Sequence, residues 1–313
     1  MASFRPSPRQ LEYLVAVSKT GNFSEAARLC HVSQPTLSTQ IQLLENRLQV
    51  TLIDRSRTGA WPTPVGHKII DQSKTILAGL TRIMDTAASM GERLGKKISL
   101  GIGPTFGPYF LPHLLPLINT QYPRLELSIT ESLWAQMHEG VLNGELDCAL
   151  TSPFEDLSHL MYEEIIAEPL WIGIPVDHKF AQCDHLLPEM LKGQKFFGPP
   201  GGYSCYRTKL QEFCAAIGAS IHTEYVGMNL DAIRKMVSIG KGLSFFPEYY
   251  VASEFGKEDR VKLRTIQGIP VSRSIGLIWR RDSPRQMHYQ RLLDACKGCL
   301  IDPIETSRRH CIA

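Results

Sequence analysis

The chain has 313 residues, of which 43% are hydrophobic and 21% charged. This length allows two or three domains, each with its own core. No run of residues approaches the ~18 apolar residues of a membrane-spanning helix, and the N-terminus lacks the basic-then-apolar plan of a signal peptide. We therefore expect a cytoplasmic protein with no membrane segment.

The net charge is +3, and its distribution is uneven. The first 66 residues contain seven Lys and Arg residues against four acidic ones, whereas the remainder contains 27 of each sign. An excess of positive charge on one segment is a modest indication of contact with nucleic-acid phosphates.

The cysteines are not expected to form a disulfide framework in a cytoplasmic chain. Eight are present: Cys30, Cys148, Cys183, Cys205, Cys214, Cys296, Cys299 and Cys311. Most are expected to be small core residues or inert surface thiols. Cys296 and Cys299 have C-x-x-C spacing but no second pair and no nearby His cluster, so we do not expect a metal site there. The sequence also lacks nucleotide, hydrolase and zinc-protease motifs, so no cofactor is expected.

Two short helices joined by a tight turn are predicted between Asn22 and Glu45. Ser24 is a candidate cap for the first helix, and its packing face is assigned to Ala26, Ala27 and Leu29. Cys30-His31-Val32 forms the turn. Ser33 is the candidate cap of the second helix, whose first turn tolerates Pro35.

The second helix has one apolar and one polar face. Leu37, Ile41 and Leu44 recur at spacings of four and three residues. The opposite face carries uncharged hydrogen-bonding side chains: Gln34, Thr36, Ser38, Thr39 and Gln40. Such a face suits base edges in a major groove, although the pattern alone also fits a solvated amphipathic helix pair.

Residues 26–38, AARLCHVSQPTLS, resemble the A-A-x-x-x-x-V-S-Q-P-[TS]-[LV]-S segment of LysR-type transcriptional regulators. The resemblance implies a winged helix-turn-helix that binds double-stranded promoter DNA. The groove residues implied are Gln34, Pro35, Thr36, Ser38 and Thr39, with Ser24, Ser33 and Gln40 beside them. Arg28, Arg55 and Arg57 are expected nearer the phosphates. It also implies a homodimer or homotetramer that contacts RNA polymerase.

The rest of the N-terminal region fits this arrangement. Residues 7–20 predict a first helix, Val50 to Arg55 a short strand, and Ser56 to Pro64 a turn and second strand, which together form a wing. From Thr63 to about Gly95 a long helix is predicted from apolar residues at helical spacing: Ile69, Ile70, Ile76, Leu77, Leu80, Ile83 and Met84. A long helix outside a compact domain usually pairs with a partner, and the resemblance implies a dimerisation helix.

Beyond residue 96, strands and helices alternate, which favours an α/β fold with parallel sheets. The strands predicted are Lys97–Gly101, Leu125–Thr130, Leu146–Leu150, Leu170–Ile174, Gly242–Phe246 and Ser274–Trp279. The helices predicted are Leu111–Gln121, Trp134–Asn143 and Leu230–Ile239. The resemblance implies two lobes like those of periplasmic binding proteins, with crossings near Glu168 and Gln267. The expected domains are therefore 6–65 (DNA binding), 66–95 (linker helix) and 96–302 (regulatory), with lobe I at 96–167 and 268–302 and lobe II at 168–267.

A second signal lies in residues 203–218, which predict a helix capped by Ser204 and ended by Gly218. Cys205 falls in its first turn, where the helix dipole and Arg207 favour a thiolate. Cys214 is nine residues further on, ~13.5 Å along a helix, whereas a disulfide needs Cα atoms within about 7 Å. A bond between these thiols would require the helix to unwind, which would make oxidation a conformational switch. From spacing alone, two unrelated cysteines remain the other interpretation.

The segment is similar to peroxide-sensing members of the same family, whose pattern C-x-R-x(6)-C matches Cys205, Arg207 and Cys214. The similarity extends to residues 103–113 and 230–237 and covers nearly the whole chain. It implies that Cys205 attacks the oxidant and Cys214 then resolves the sulfenic acid. It also implies that the hydroxyl of Thr105 lines the sensor pocket.

Four expected pocket positions depart from that pattern. Ser204 replaces the usual His, and Thr208 replaces the usual Asp. Trp134 and Met228 stand where pocket threonines are expected, and both are bulky enough to shrink or dry the pocket.

Two alternatives stay open at this point. The cleft could bind a small-molecule co-inducer, with Thr105, Ser204 and the Thr151-Ser152 pair holding a small anion. The chain could instead be a thiol peroxidase that uses Cys205 catalytically, but the complete helix-turn-helix disfavours an enzyme.

Overall fold

The computed structural model describes residues 5–56, 59–89, 97–153, 157–198, 205–223, 225, 227, 229–255 and 260–300. Side chains are described in all of these except residues 82, 84–89, 205 and 206. The chain divides into an N-terminal unit, residues 1–94 with 142–145, and a C-terminal unit, residues 95–141 and 146–313.

The N-terminal unit is a three-helix domain followed by a two-stranded wing and a long helix. Its elements are α1 (Pro8–Thr20), α2 (Phe23–Leu29), α3 (Gln34–Leu48), β1 (Ile53–Ser56), β2 (Gly59–Pro62) and α4 (Pro64–Ser89). Strands β1 and β2 pair antiparallel. The first predicted strand starts too early, since β1 begins at Ile53 rather than Val50.

The boundaries of α2 and α3 follow from their caps. Asn22 caps α2, because its side-chain oxygen accepts hydrogen bonds from the backbone N–H groups of Ser24 and Glu25 at 2.8 and 3.2 Å. The prediction of Ser24 as the cap was therefore wrong by two residues. Ser33 caps α3 as predicted, accepting from the Thr36 N–H. The turn between the helices contains His31 with φ of 54°.

The core of this unit forms where the helices meet. Ala26, Ala27, Leu37, Ile41 and Leu44 are all buried, as predicted. Leu29 is 58% exposed and does not belong to the packing face. It is the last residue of α2, where the helix turns its side chain away from α3.

The C-terminal unit contains ten strands, six helices and a short 3-10 turn (Pro188–Leu191) within the described residues. In chain order they are β3 (Lys97–Ile102), α5 (Gly107–Gln121), β4 (Glu126–Glu131), α6 (Trp134–Leu142), β5 (Cys148–Thr151), β6 (Leu160–Pro175), β7 (His185–Leu186), β8 (Lys195–Phe197), α7 (Cys205–Ile217), β9 (Ser220–Ile221), α8 (Leu230–Ser238), β10 (Leu243–Pro247), α9 (Glu248–Glu254), β11 (Val261–Ile266), β12 (Ser272–Arg280) and α10 (Gln286–Gly298).

Strand β6 is shared by two lobes. Its first part, up to Pro169, pairs with β12 in the order β4-β3-β5-β12-β6, which we call lobe I. From Leu170 onward it pairs with β10 and β11, in the order β9-β8-β10-β6-β11-β7, which we call lobe II. The chain returns to lobe I between Ile266 and Ser272.

The sheets are mixed, which corrects the expectation of parallel sheets. Strands β4, β3 and β5 are mutually parallel, as are β9, β8 and β10. Strand β6, however, runs antiparallel to β10, β11 and β12. The chain leaves lobe I on β6 and returns on β12, so these neighbours must run in opposite directions.

Each lobe has its own aromatic core. In lobe I, Phe106 and Phe110 stack with ring centroids 4.6 Å apart and meet the ring of Tyr249 edge-on. In lobe II, Phe196 stacks on Phe245 at 5.5 Å. Within the described residues, no helix has the length and apolar character needed to cross a membrane.

The cap assignment is testable by exchange of the α2 amides in the full-length chain. Asn22→Ala removes the cap and should lower local stability by about 1 kcal/mol, which corresponds to roughly 5-fold faster exchange. Hydrogen exchange with mass spectrometry over residues 22–30 measures this directly. Ser24→Ala is the matched control and should leave exchange unchanged; the reverse pattern would reinstate Ser24 as the cap.

Candidate functional site

The first candidate site is the polar face of α3. Gln34, Pro35, Thr36 and Thr39 are exposed there, at the N-terminal end of the helix. Residues in that position of a helix-turn-helix contact base edges. The predicted groove residues therefore lie together on one accessible surface.

Two predicted members of this face are already engaged within the domain. The Gln40 side-chain oxygen accepts a hydrogen bond from the Gln10 amide at 3.2 Å. The Ser38 hydroxyl accepts one from the Arg55 guanidinium at 2.8 Å. These contacts hold both side chains in place. Ser38 and Gln40 therefore stabilise the polar face of α3 in addition to forming part of it.

The basic residues flank α3. The Arg55 guanidinium lies 4.4 Å from the Phe23 ring centre, a cation–π geometry that holds it beside the wing. Arg28 is exposed and pairs with Glu25 one turn earlier on α2. Ser24 is exposed in the first turn of α2. Arg57 lies outside the described residues.

The second candidate site is a small cavity in the C-terminal unit, with a volume of about 30 Å³. Both lobes contribute to its walls. The residues lining it are Thr105, Trp134, Leu170, Phe197, Gly198, Gly227, Leu230, Ile233, Ser244, Phe245, Pro247 and Arg273. A water molecule occupies roughly 10–15 Å³, so the cavity has room for at least one water molecule.

The structure brings together only part of the predicted sensor pocket. Thr105 and Trp134 line the cavity. Thr208 is exposed on α7, and neither Thr208 nor Arg207 is among the described lining residues. Ser204 and Met228 lie outside the described residues. Arg207 still approaches the cavity wall, because a Cβ on Gly198 would lie 3.5 Å from its guanidinium nitrogen.

A buried ion pair at the lobe crossing was missed by the sequence argument. Arg273 donates to a Glu168 carboxylate oxygen at 2.6 Å, to the Thr105 hydroxyl at 2.6 Å and to the Thr105 carbonyl at 2.9 Å. The second Glu168 oxygen accepts from the Tyr249 backbone N–H at 3.0 Å. Both charged side chains are buried.

A signal for Arg273 was present in the sequence. Ile275, Leu277 and Trp279 follow it at spacings of two along β12, and all three are buried. Alternate residues of a strand share one face, so a charged residue in this series had to be buried and paired. That reasoning identifies Arg273 as an internal polar group, although not its partners.

The two candidate redox thiols lie on one continuous helix. Helix α7 begins at Cys205 and ends at Ile217, followed by Gly218 with φ of +71°. Nine residues of helix correspond to ~13.5 Å of rise, beyond the reach of a disulfide. The Cys205 side chain lies outside the described residues.

Cys214 is buried in the core of lobe II together with Leu210 and Phe196. Burial raises the pKa of its thiol to about 11, an effect that the nearby Arg207 guanidinium partly opposes. A thiol with this pKa is protonated at neutral pH and therefore unreactive. In this structure the Cys214 thiol is buried and is not exposed to solvent.

The remaining sequence candidates lie outside the described lining of the cavity. Burial raises the pKa of the Cys148, Cys296 and Cys299 thiols, so these thiols are protonated at neutral pH. Among the residues that the structure describes, no group of three or more His, Cys, Asp or Glu is placed to hold a metal. The Thr151-Ser152 pair is buried at the end of β5 and does not line the cavity.

Models of two known protein families match this chain, one in each part. A model of the LysR substrate binding domain matches residues 91–299. A model of the bacterial regulatory helix-turn-helix protein, lysR family, matches residues 8–67. The chain belongs to the LysR family.

Relatives within the family extend over almost the full length. The DNA-binding transcriptional dual regulator OxyR of Escherichia coli K12 is 33% identical over 290 residues, covering 93% of this chain and 94% of the relative. The HTH-type transcriptional regulator EstR of Acinetobacter baylyi is 30% identical over 294 residues, covering 93% and 96%. A full-length OxyR variant from Pseudomonas aeruginosa matches in structure with a TM-score of 0.74 and 27% identity, covering 95% and 96%.

The burial of Cys214 predicts slow alkylation in this LysR protein. Iodoacetamide reacts with the thiolate, so at neutral pH labelling should be about 100-fold slower than for the same residue in the unfolded chain. The rate should rise about 10-fold per pH unit until the pH approaches 11. Peptide mass spectrometry with and without guanidinium chloride provides the comparison; equal rates in both would show that Cys214 is exposed.

Proposed function

We propose that this LysR protein is a sequence-specific, DNA-binding transcriptional regulator whose activity is set by oxidation of Cys205 and Cys214. Hydrogen peroxide is the proposed oxidant. The observation that carries the proposal is a helix with a cysteine in its first turn and a second, buried cysteine nine residues on. Arg207 of the same helix approaches the wall of the cavity at Gly198.

The chemistry balances with peroxide as the only co-reactant. The Cys205 thiolate attacks one peroxide oxygen, the S–O bond forms as the O–O bond breaks, and hydroxide leaves. Sulfur is thereby oxidised to a sulfenic acid and peroxide is reduced. The Cys214 thiol then attacks the sulfenic sulfur, which forms the disulfide and releases water.

The second step couples chemistry to shape. Because α7 holds the two residues too far apart, the disulfide requires α7 to unwind and Cys214 to leave the lobe II core. The reduced and oxidised chains must therefore differ in the structure of lobe II. We propose that this difference changes how the DNA-binding unit binds promoter DNA.

The curated relatives support peroxide as the signal. Several relatives at 31–33% identity are named hydrogen peroxide-inducible genes activator. Identity alone is not decisive, because EstR at 30% identity carries no such name.

Self-association and partners belong to the same proposal. On α4, Ile76 and Ile83 are 53% and 67% exposed, and Leu80 between them is half-buried. This apolar stripe suits a dimer through the linker helix, with a tetramer built from two dimers. The proposed partners are promoter DNA and RNA polymerase, and the proposed location is the cytoplasm. The proposed domains are residues 6–65, 66–95 and 96–302.

The remaining proposed roles follow the same division. Ser204, Arg207, Thr208 and Met228 are proposed to surround Cys205, beside Thr105 and Trp134. The helix-turn-helix residues are proposed to read DNA, with Arg28, Arg55 and Arg57 near phosphates. No cofactor or metal is proposed, and the chain is proposed to act as a regulator rather than as an enzyme.

Cysteine variants test the switch. In the wild type, peroxide should convert Cys205 and Cys214 to a disulfide and change the promoter footprint. Cys205→Ser should abolish both effects, and Cys214→Ser should stop the reaction at a Cys205 sulfenic acid. Mass spectrometry and footprinting measure these outcomes, with Cys183→Ser as the control that keeps the full response. A full footprint change in Cys205→Ser would refute the redox mechanism.

A variant of α3 tests the DNA-reading surface. Gln34→Ala should weaken operator binding by roughly 5- to 150-fold, the range for one lost base contact of about 1–3 kcal/mol. The affinity for random DNA should change by less than about 2-fold. Gln34 is uncharged, so its loss removes no positive charge that neutralises a phosphate. Gln42→Ala, an exposed glutamine two turns further along α3, is the control and should bind both DNAs normally. Equal loss on both DNAs for Gln34→Ala would assign Gln34 to general backbone contact.

A further inference from the structure

Trp61, in strand β2 of the wing, differs in its environment from the other tryptophans of the chain. It is 58% exposed, whereas Trp134, Trp171 and Trp279 are at most 9% exposed. Those three indoles pack in the cores of the C-terminal unit. An indole offers a large apolar face and one polar N–H group, a combination that suits contact with a partner. The wing therefore presents the most exposed aromatic surface of this kind.

The Trp61 ring lies against the backbone of two glycines. A Cβ on Gly59 would lie 3.3 Å from the indole Nε1, and one on Gly21 would lie 3.7 Å from Cη2 at the opposite end of the ring. The Ala60 N–H donates to the Gly21 carbonyl at 2.8 Å, which ties the wing to the end of α1. The protein thus supports the ring along its length, while more than half of the residue stays open to solvent.

An open groove connects Trp61 with the polar face of α3. This groove, which we call the wing groove, is lined by residues 20–23, 55, 56 and 59–61. Arg55 donates to the Ser38 hydroxyl of α3 at 2.8 Å and lies 4.4 Å from the Phe23 ring centre. Its guanidinium therefore joins the wing groove to the surface of α3. A duplex bound at the polar face of α3 is adjacent to the wing groove.

The chemistry around the ring selects the part of the DNA that fits. Asp54 is exposed directly opposite Trp61 in the pairing of β1 with β2. Its negative charge repels a phosphate but not the neutral carbon face of a deoxyribose. The bases of a duplex are stacked on one another, so a surface ring cannot reach their faces. A ring supported along the backbone also does not project as a wedge between base pairs. The deoxyribose is the part of the duplex that suits Trp61.

We infer that the open face of Trp61 packs on a deoxyribose of bound duplex DNA and holds the wing on the DNA backbone. The inference rests on the DNA-binding part of the proposed function and does not depend on the redox switch. Contacts to sugar and phosphate position a protein on DNA without reading its sequence. Trp61 therefore strengthens binding to every duplex alike, whereas Gln34 is proposed to act on the operator alone.

Fluorescence quenching tests the contact on the full-length wild type. Acrylamide, a neutral quencher, reaches the exposed Trp61 more readily than the three buried indoles. The probes are a duplex that the wild type selects from a random-sequence pool and a scrambled duplex of equal length. Saturation with either duplex should remove most of the quenchable emission, and Trp61→Phe should lack that emission even without DNA. Unchanged quenching in the saturated wild type would overturn the inference, whether or not any variant folds.

Variants measure the strength of the contact. Trp61→Ala should weaken binding to both duplexes by the same factor of at least about 5-fold, the low end for aromatic contacts with nucleic acid. The slope of log affinity against log salt should not change, whereas Arg55→Ala should reduce it by about 1. Trp61→Phe keeps an aromatic face and should recover most of the affinity. Leu29→Ala is the matched control, because Leu29 is equally exposed at 58% but does not line the wing groove; it should bind both duplexes normally.

Each failure has a separate meaning. Affinities within about 2-fold of the wild type for folded Trp61→Ala would overturn the contact. Loss on the selected duplex alone would overturn the backbone assignment and make Trp61 a base-reading residue. Normal DNA binding with reduced transcription would also overturn it, and would assign Trp61 to RNA polymerase. A wild type that selects no sequence from the pool would overturn the proposed function itself, while the scrambled duplex would still test Trp61.

Discussion

The regulatory unit depends on the buried pair between Arg273 and Glu168. Removing one member of such a pair typically costs ~3–5 kcal/mol, because the other charge is left buried without compensation. Here each charge is also satisfied by backbone or side-chain groups, at Thr105 and at the Tyr249 N–H. The pair therefore joins β6, β12, the loop before α5 and the start of α9 where the chain crosses between lobes. The position of Thr105, and with it one wall of the cavity, follows from this constraint.

Helix α7 has the opposite role in the proposed switch, which requires one part of the molecule to unwind. The Arg273–Glu168 pair lies on the long strands β12 and β6, whereas Cys205 is the first residue of the 13-residue helix α7 in lobe II. Cys214 anchors that helix through its burial beside Leu210. The same burial raises the pKa of its thiol and keeps it protonated, so in the proposed switch it would not compete with Cys205 for the oxidant. In the proposed switch, α7 must open before Cys214 can resolve a sulfenic acid on Cys205.

Local patterns predicted the DNA-binding unit well, because its helices are specified by caps and short apolar spacing. The error at Asn22 arose because Asn and Ser are both good caps, and only the three-dimensional path of the chain selects between them. In the regulatory unit, the sequence indicated only Leu170–Ile174 of the 16-residue strand β6. Its earlier part contains the exposed residues Glu163 and Glu164. Because these charged residues interrupt the apolar pattern, a search for continuous apolar runs does not detect this part of the strand.

The candidate site was harder to predict because its members come from distant parts of the chain. Thr105 and Trp134 were identified only through family resemblance, and Arg273 lies 168 residues from its Thr105 partner. Which lobe faces meet depends on the crossing of β6 and β12, a tertiary feature with no local signal. The volume of the cavity depends in turn on how those faces pack.

The size of the proposed signal molecule, hydrogen peroxide, also bears on how a signal can be generated. Moving a two-state equilibrium from 1:99 to 99:1 requires about 5.5 kcal/mol of differential binding. The best small ligands yield only ~1.5 kcal/mol per non-hydrogen atom, so a molecule of two oxygen atoms supplies at most about 3 kcal/mol by that measure. Non-covalent binding of a molecule as small as hydrogen peroxide therefore falls short of a complete switch. A covalent bond between Cys205 and Cys214 has no such ceiling, because the oxidant supplies the free energy chemically. A signal as small as hydrogen peroxide therefore requires the proposed thiol switch rather than binding alone.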